Sequence, residues 1–133
     1  MVRLPDRRRS AALLIGTGTY ESGQLPDLPS VHNNLVALRG LLTDAERGVF
    51  SPELCDLVED VREPRELGVR IADTARWATD VLLVYFSGHG LLDTRGRLHL
   101  AVTASSPATV GYGGLPFERV REEIAGSPAA VRC

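Results

Sequence analysis

The chain has 133 residues, of which 44% are hydrophobic and 24% are charged, and its net charge is −2 at neutral pH. This length gives one domain large enough to bury a core, and the near balance of charges excludes the strongly basic character expected of a partner for nucleic acid or anionic membranes. Two cysteines, Cys55 and Cys133, are too few for a disulfide framework and are typical of a reducing compartment, so we expect a cytoplasmic protein. No apolar run approaches the roughly 20 residues that cross a membrane. We therefore expect neither nucleic acid nor a membrane as a partner.

The first third of the chain predicts a strand, a long loop and a helix. We expect residues 1–9 to be a disordered head and residues 10–133 to form the domain. The apolar run 11–15 ends at glycines and predicts a buried strand. Residues 16–29 are rich in Gly, Pro, Ser and Asp and predict a loop of the length that often carries function. Ser30 can cap a helix whose apolar residues recur at helical spacing, namely Val31, Leu35, Leu38 and Leu42.

The middle of the chain predicts two more strands around a second helix. Residues 54–58 predict the second strand. Pro64 suits the first turn of a helix over 64–79, whose buried stripe contains Leu67, Ile71 and Ala75. Residues 81–86 form an apolar run that is too short for a helix and rich in β-forming residues. This run predicts a strand buried on both faces, in the middle of a parallel sheet.

The last third predicts a hairpin, a helix and the start of a fourth strand. Residues 92–104 carry turn residues and then alternate, which predicts a hairpin in which His99 faces solvent. Pro116 opens a third helix, and residues 129–133 predict the start of a fourth strand. Strands that alternate with helices imply an α/β fold with a mainly parallel sheet and helices on both faces.

One histidine follows the clearest strand. Ser87-Gly88-His89-Gly90 is a flexible turn just past a carboxyl strand end, where ligands and catalytic groups lie in open α/β sheets. The structural alternative is a loop histidine that makes one hydrogen bond. His32 and His99 are not spaced as metal ligands, and the chain has no Cys-x-x-Cys pair, so we expect neither metal nor cofactor.

Three segments together resemble the caspase-like cysteine peptidases, the clan that includes caspases and metacaspases. They are residues 12–20 (ALLIGTGTY), 28–35 (LPSVHNNL) and 84–90 (VYFSGHG), and the resemblance spans roughly residues 11–133. It implies a caspase-like three-layer α/β/α sandwich with a mainly parallel sheet, truncated here at the start of the fourth core strand. It also implies a cysteine-type endopeptidase that acts on a peptide or protein substrate.

The resemblance also implies roles for individual residues. His89 matches the catalytic histidine, which handles the protons of the thiol and of the leaving amine, and Gly90 matches the glycine whose N–H helps to hold the oxyanion. The family's nucleophilic cysteine lies at the end of the strand after the third helix. Cys133 is the candidate nucleophile on that strand, but no Asp precedes it and it stands early in the strand. We therefore expect this chain to lack the nucleophile.

Two positions of the sequence bear on the substrate preference that the resemblance would imply. Leu28 stands where caspases have an arginine for a substrate aspartate, and Asn34 stands where metacaspases have an acidic residue for arginine or lysine. We therefore predict neither preference.

The alternative function is an inactive caspase-like domain that binds or regulates a partner, and the exposed edge at residues 129–133 would favour self-association. A flavodoxin-like ligand-binding domain would need a phosphate-cradling loop, which the sequence does not show.

Overall fold

The computed structural model describes residues 3–133. Its strands and helices follow the order expected from the sequence, with two short elements added before the last long helix. In chain order they are β1 (Ala11–Gly16), α1 (Val31–Leu42), β2 (Cys55–Glu59), α2 (Pro64–Trp77), β3 (Val81–Ser87), β4 (Gly90–Leu92), β5 (Leu98–Ala101), α3 (Val110–Gly113), β6 (Gly114–Pro116), α4 (Phe117–Ala125) and β7 (Val131–Arg132).

A four-stranded parallel sheet forms the centre of the molecule, in the order β2-β1-β3-β7. β1 pairs with both neighbours, so that Ala12 lies opposite Cys55 on one side and Leu83 on the other. Every residue of β1 is buried, because both faces and both edges of the strand are covered. The predictions of an α/β fold, a parallel sheet and a fourth strand near the C-terminal end are confirmed.

Helices cover both faces of this sheet. Successive side chains of β1 point to opposite faces, so Leu13 and Ile15 pack with α2 and α4, whereas Ala12 and Leu14 pack with α1. The connection from β1 to β2 crosses the sheet in one direction, and the later two crossovers run in the other. Because all three crossovers have the same handedness, the helix of the first crossover, α1, lies on one face of the sheet, and the helices of the later two, α2 and α4, lie on the other.

The strand order places a topological switch point, the position at which open α/β sheets form a crevice, between the carboxyl ends of β1 and β3. These strands are neighbours, yet the chain leaves β1 towards β2 and leaves β3 towards β7. Loops that diverge from adjacent parallel strands leave an opening between them, which is where open α/β sheets bind ligands. The loop of residues 17–30 and the turn at residues 88–89 border this crevice.

A second, antiparallel sheet has the order β4-β5-β6. The predicted hairpin is confirmed, but its first strand begins at Gly90, directly after His89. Strand β6 was not expected from the sequence. Its three residues are too few to show a period, and they become a strand by pairing with β5, where Gly114 lies opposite Ala101.

The prediction that His99 faces solvent is wrong. His99 is 4% exposed, whereas its neighbour Leu98 is 39% exposed. β5 is the central strand of its sheet, so its residues are covered more fully than an isolated hairpin would suggest. The buried imidazole also has a charged partner, because its Nε2 lies 3.1 Å from Oδ2 of Asp93.

Residues 3–9 make hydrogen bonds with the domain, and residues 1–2 of the predicted disordered head lie outside the described residues. The fully buried carboxylate of Asp80 accepts hydrogen bonds from the Arg3 side chain and from the Asp6 N–H. Arg7 Nη2 donates to the Phe50 carbonyl at 2.7 Å. A buried carboxylate needs donors, and here they come from a segment more than 70 residues away in the chain.

Candidate functional site

His89 lies just past the carboxyl end of β3, in the turn that leads into β4. Gly16 lies opposite Ser87, so β1 and β3 end at the same level. The Thr17 N–H extends this pairing by donating to the Ser87 carbonyl at 2.9 Å. The half-buried His89 therefore faces the loop that leaves β1, across the crevice.

Two residues of the β1–α1 loop contact the imidazole. His89 Nε2 lies 2.8 Å from the Pro26 carbonyl oxygen, and the Tyr20 ring packs on the imidazole with centroids 4.8 Å apart and planes at 55°. A carbonyl oxygen only accepts hydrogen bonds, so Nε2 carries the proton of the neutral ring. Nδ1 then keeps its lone pair, and it makes no hydrogen bond with residues 3–133.

The Tyr20 hydroxyl links the backbones on the two sides of the crevice. It accepts a hydrogen bond from the His89 N–H at 2.8 Å and donates one to the Thr17 carbonyl at 2.8 Å. Burial raises the pKa of the phenol, so the hydroxyl keeps the proton that it donates. Tyr20 thus holds the backbone of His89, while Pro26 holds its ring.

Gly88 provides the space for this arrangement. A Cβ at position 88 would lie 2.9 Å from the Tyr20 hydroxyl oxygen and 2.9 Å from Cζ of Phe86. Both distances are too short for non-bonded carbon contacts, so a side chain here would displace Tyr20 or Phe86. The glycine before His89 is explained by the close approach of the tyrosine.

The β1–α1 loop is closed by its own hydrogen bonds. The Leu28 N–H donates to the Gly18 carbonyl at 2.7 Å and forms the neck of the loop. Inside the loop, the Tyr20 N–H donates to Oδ1 of Asp27 at 3.0 Å. At its start, the Gly18 N–H donates to Oδ1 of Asp60 at 2.9 Å. Hydrogen bonds therefore hold the start, the neck and the interior of the loop that carries the Pro26 carbonyl.

The Gly90 N–H points away from β5. The Ala101 N–H donates to the His89 carbonyl and, at the other end of the hairpin, the Asp93 N–H donates to the Arg97 carbonyl, each at 3.0 Å. Hydrogen-bonded and non-hydrogen-bonded pairs alternate along an antiparallel ladder, so the pair of Gly90 with Leu100 is a non-hydrogen-bonded one. The N–H and C=O of Gly90 therefore point away from β5. An exposed backbone donor directly after His89 is suited to binding a developing negative charge.

The structure brings neither cysteine to His89. The Cys133 N–H donates to the Leu82 carbonyl, and its own carbonyl accepts from the Val84 N–H, so Cys133 is level with Leu83. Leu83 lies four residues before the last residue of β3, which corresponds to ~13 Å along the strand. Cys133 is an exposed residue at this level.

Cys55 lies at the start of β2, opposite Ala12 and remote from the crevice. It is buried, and this burial raises the pKa of its thiol. A raised pKa disfavours the reactive thiolate. Cys55 is therefore a packing residue of the face that α1 covers.

The other residues singled out from the sequence make no hydrogen bond with His89. Leu28 is partly buried against the cluster under α1, and Asn34 is exposed on that helix. His32 Nδ1 lies 2.8 Å from the Glu59 carboxylate on the surface. Among residues 3–133, no cluster of three or more His, Cys, Asp or Glu side chains is arranged to bind a metal ion.

Sequence reasoning missed Pro26 and Tyr20, the two residues that orient the histidine. They lie 63 and 69 residues from His89 in the chain, so no local pattern connects them to it. One signal could have pointed to them. A long loop follows β1, and the carboxyl ends of adjacent parallel strands meet at the same edge of the sheet.

Fold and site together define an α/β protein with a parallel central sheet and an oriented histidine at its carboxyl edge. No protein-family model matches the chain, and no curated protein matches it significantly. Within residues 3–133, none of the helices has the length and apolar character required to cross a membrane.

Proposed function

We propose that the chain is the histidine-bearing part of a caspase-like cysteine endopeptidase domain, which hydrolyses peptide bonds with a His/Cys dyad. The observation that carries the proposal is the hydrogen bond from His89 Nε2 to the Pro26 carbonyl oxygen. In the neutral tautomer this bond places the proton on Nε2 and the lone pair on Nδ1, at the carboxyl edge of the sheet. The outward N–H of Gly90, the strand order and the resemblance of three sequence segments support the same function.

Each group has a defined task in this reaction. Nδ1 of His89 takes the proton of a cysteine thiol, and the thiolate attacks the carbonyl carbon of the substrate peptide. The imidazolium then returns the proton to the leaving amine as the C–N bond breaks and a thioester forms, and His89 next takes a proton from the water that hydrolyses the thioester and regenerates the thiol. Nε2 donates to Pro26 in both protonation states, so the ring keeps its orientation during proton transfer. The Gly90 N–H donates to the oxyanion of the tetrahedral intermediate.

A thiol that gives its proton to His89 must lie within hydrogen-bond reach of the imidazole, which on a strand beside β3 means about the level of Ser87, the last residue of β3. Cys133 lies level with Leu83, and a parallel strand that extends β7 would reach the level of Ser87 after about four residues. The proposed reaction therefore requires a nucleophile at that level, which neither Cys133 nor Cys55 supplies within residues 3–133.

The second candidate function is an inactive caspase-like domain that binds or regulates a partner. The distance of both cysteines from the histidine favours it. β7 also pairs with β3 on one side while Val131 and Arg132 are both exposed. An open strand edge of this kind can pair with a strand of a second copy or of another protein.

A comparison of two histidine variants tests the peptidase proposal. The natural open reading frame that contains this chain is expressed as wild type, His89→Ala and His32→Ala, and each protein is incubated with fluorogenic peptides and a thiol-directed peptide aldehyde. We expect His89→Ala to lower turnover by about 100-fold or more, the usual contribution of a general acid–base. His32→Ala should leave turnover unchanged, because this ring lies on the surface beside Glu59.

The same experiment separates the two candidate functions. If folded wild-type protein cleaves no peptide and the aldehyde modifies no thiol, the peptidase proposal is refuted. Binding of a partner that depends on the β7 edge would then support the inactive domain. If labelling occurs at a cysteine and requires His89, the inactive domain is excluded.

A further inference from the structure

We propose that Asp27 and Asp60 are positioning residues for His89, acting through the β1–α1 loop. Neither carboxylate has a hydrogen bond to the imidazole. Asp27 accepts one backbone N–H and Asp60 accepts two, all from the β1–α1 loop that contacts the imidazole. The catalytic meaning of this inference rests on the proposed peptidase function. The positioning itself is a property of this chain and can be measured without catalysis.

Asp27 links the two residues that contact the ring. It directly follows Pro26, whose carbonyl accepts the Nε2–H, and its Oδ1 accepts the Tyr20 N–H at 3.0 Å. One side chain therefore ties the carbonyl that orients the ring to the tyrosine that packs on it. Removing the carboxylate would leave the Tyr20 N–H without this acceptor and allow the two sides of the loop to separate.

Asp60 fixes the start of the loop to the neighbouring strand. It directly follows β2 and has φ of 51°, the left-handed conformation that Asp and Asn adopt more readily than most residues. Its N–H donates to the Gly16 carbonyl at 2.9 Å. Its Oδ1 accepts the N–H groups of Gly18 and Thr19 at 2.9 and 3.1 Å. Two adjacent amides on one carboxylate oxygen make charge-assisted bonds, which are stronger than neutral ones.

The two carboxylates act on the same loop at different points. Asp60 holds Gly18, and the carbonyl of Gly18 accepts the Leu28 N–H that closes the neck. Asp27 then fixes the interior between these points. Because the Pro26 carbonyl must stay within hydrogen-bond distance of Nε2, a shift of the loop by about 1 Å would be enough to weaken that bond.

The test removes each acceptor while preserving the local backbone. Asp27→Ala removes the acceptor, and Asp27→Asn keeps an oxygen in its place. Asp60→Gly tolerates the left-handed φ without an acceptor, and Asp60→Asn retains both properties. Asp44→Ala is the matched control, because Oδ1 of Asp44 also accepts two adjacent N–H groups, from Glu46 and Arg47, in the connection between α1 and β2.

The readout is the exchange of the His89 Nε2–H with water, followed by proton–nitrogen NMR on the purified chain. We expect Asp27→Ala and Asp60→Gly each to raise this exchange rate by roughly five- to ten-fold, the factor that corresponds to the net contribution of one hydrogen bond. Asp44→Ala should stay within about twofold of wild type, because it lies away from the loop. The two Asn variants should raise the rate less than Asp27→Ala and Asp60→Gly do, because they keep a neutral acceptor oxygen in place of the charged one.

Urea unfolding of every variant separates positioning from general destabilisation. The proposal is overturned if Asp27→Ala and Asp60→Gly raise the exchange rate no more than Asp44→Ala, or if the Asn variants behave as the Ala and Gly variants do. A protected Nε2–H in a protein that cleaves nothing would refute the peptidase function and leave the positioning role standing. The two failures are therefore distinguishable.

Discussion

The Pro26 carbonyl oxygen lies 2.8 Å from Nε2 of His89, although the two residues are 63 positions apart. This contact assigns the proton of the neutral imidazole to Nε2 and leaves the lone pair on Nδ1. It also joins the loop after β1 to the turn after β3, the two segments that border the crevice. The chemistry available to His89 therefore depends on the conformation of a loop that is remote in the chain.

Replacing Tyr20 with Phe should lower the free energy of unfolding by about 1–3 kcal/mol, the usual cost of a buried polar group that loses its partner. The variant keeps the ring that packs on His89. It leaves the His89 N–H and the Thr17 carbonyl without the hydroxyl that joins them. Urea unfolding measures the loss. Tyr112→Phe is the control, because Tyr112 is 93% exposed, and equal losses in both variants would contradict a special role for the Tyr20 hydroxyl.

Replacing Gly88 with Ala should destabilise the fold by about 1–3 kcal/mol through overpacking. The new methyl group would lie 2.9 Å from both the Tyr20 hydroxyl oxygen and Cζ of Phe86. Gly23→Ala is the matched control, since a Cβ at that position has no atom within 4 Å. Thermal unfolding compares the two, and NMR of the His89 Nε2–H shows whether the ring has moved. A Gly88→Ala protein as stable as Gly23→Ala would contradict the close approach of Tyr20.

The main sheet could be predicted from the sequence because its residues carry their own signal. The apolar run Val81–Phe86 forms an inner strand of the sheet as its residue types predict. Its predicted burial on both faces holds only in part, because Leu82 is its one fully buried residue and Tyr85 is 37% exposed. β6 has no such signal, because its three residues become a strand through a partner elsewhere in the chain. The burial of His99 was missed for the same reason, since it depends on Asp93 and on β5 being a central strand.

The site was predictable only in part, for a related reason. The position of His89 follows from a strand end and a glycine-flanked turn, both of which are local features. The orientation of its ring depends on the path of a long loop, which is set by hydrogen bonds to Asp27 and Asp60. Long-range contacts of this kind leave no period or spacing in the sequence. A residue can thus be identified as a candidate before its partners can.

Acid should weaken the fold partly through Asp93. Hydrogen bonds from the Arg97 N–H, and then from His99, hold the pKa of the Asp93 carboxyl well below its usual range. A carboxyl with a lowered folded-state pKa stabilises the protein above its unfolded pKa of about 4, and this contribution is lost as the pH falls towards the folded-state value. Asp93→Asn should therefore be less stable than wild type at neutral pH, and the difference should shrink below about pH 4.

Urea unfolding over a pH series measures this difference. Glu118→Gln is the control, because Glu118 and its partner Arg121 are both exposed. Asp80 is expected to add to the acid sensitivity in the same direction, since a hydrogen bond from the Asp6 N–H and then the Arg3 side chain lower its pKa as well. A stability difference for Asp93→Asn that stays constant down to the lowest pH would contradict the role assigned to this carboxylate.

Replacing Asp80 with Ala should release the N-terminal segment. The Asp80 carboxylate accepts hydrogen bonds from the Arg3 side chain and the Asp6 N–H, and no other carboxylate among residues 3–133 holds both. Hydrogen exchange read by mass spectrometry should show faster exchange over residues 3–9 in this variant. Asp73→Ala removes an exposed carboxylate paired with Arg76 and should leave the segment protected. Unchanged protection in Asp80→Ala would mean that other contacts hold the segment.

Cys133 should react with iodoacetamide at the same rate in wild type and in His89→Ala. Its backbone is level with Leu83, ~13 Å along β3 from the strand end that precedes His89, so the imidazole is too far away to take the thiol proton. Mass spectrometry gives the rate, and buried Cys55 serves as the internal control that stays unmodified while the protein is folded. If the rate in His89→Ala fell by about tenfold or more, Cys133 would be a thiol activated by the histidine. Equal rates would show that His89 activates no thiol in residues 3–133. This result is expected if the nucleophile lies level with Ser87 on an extended β7.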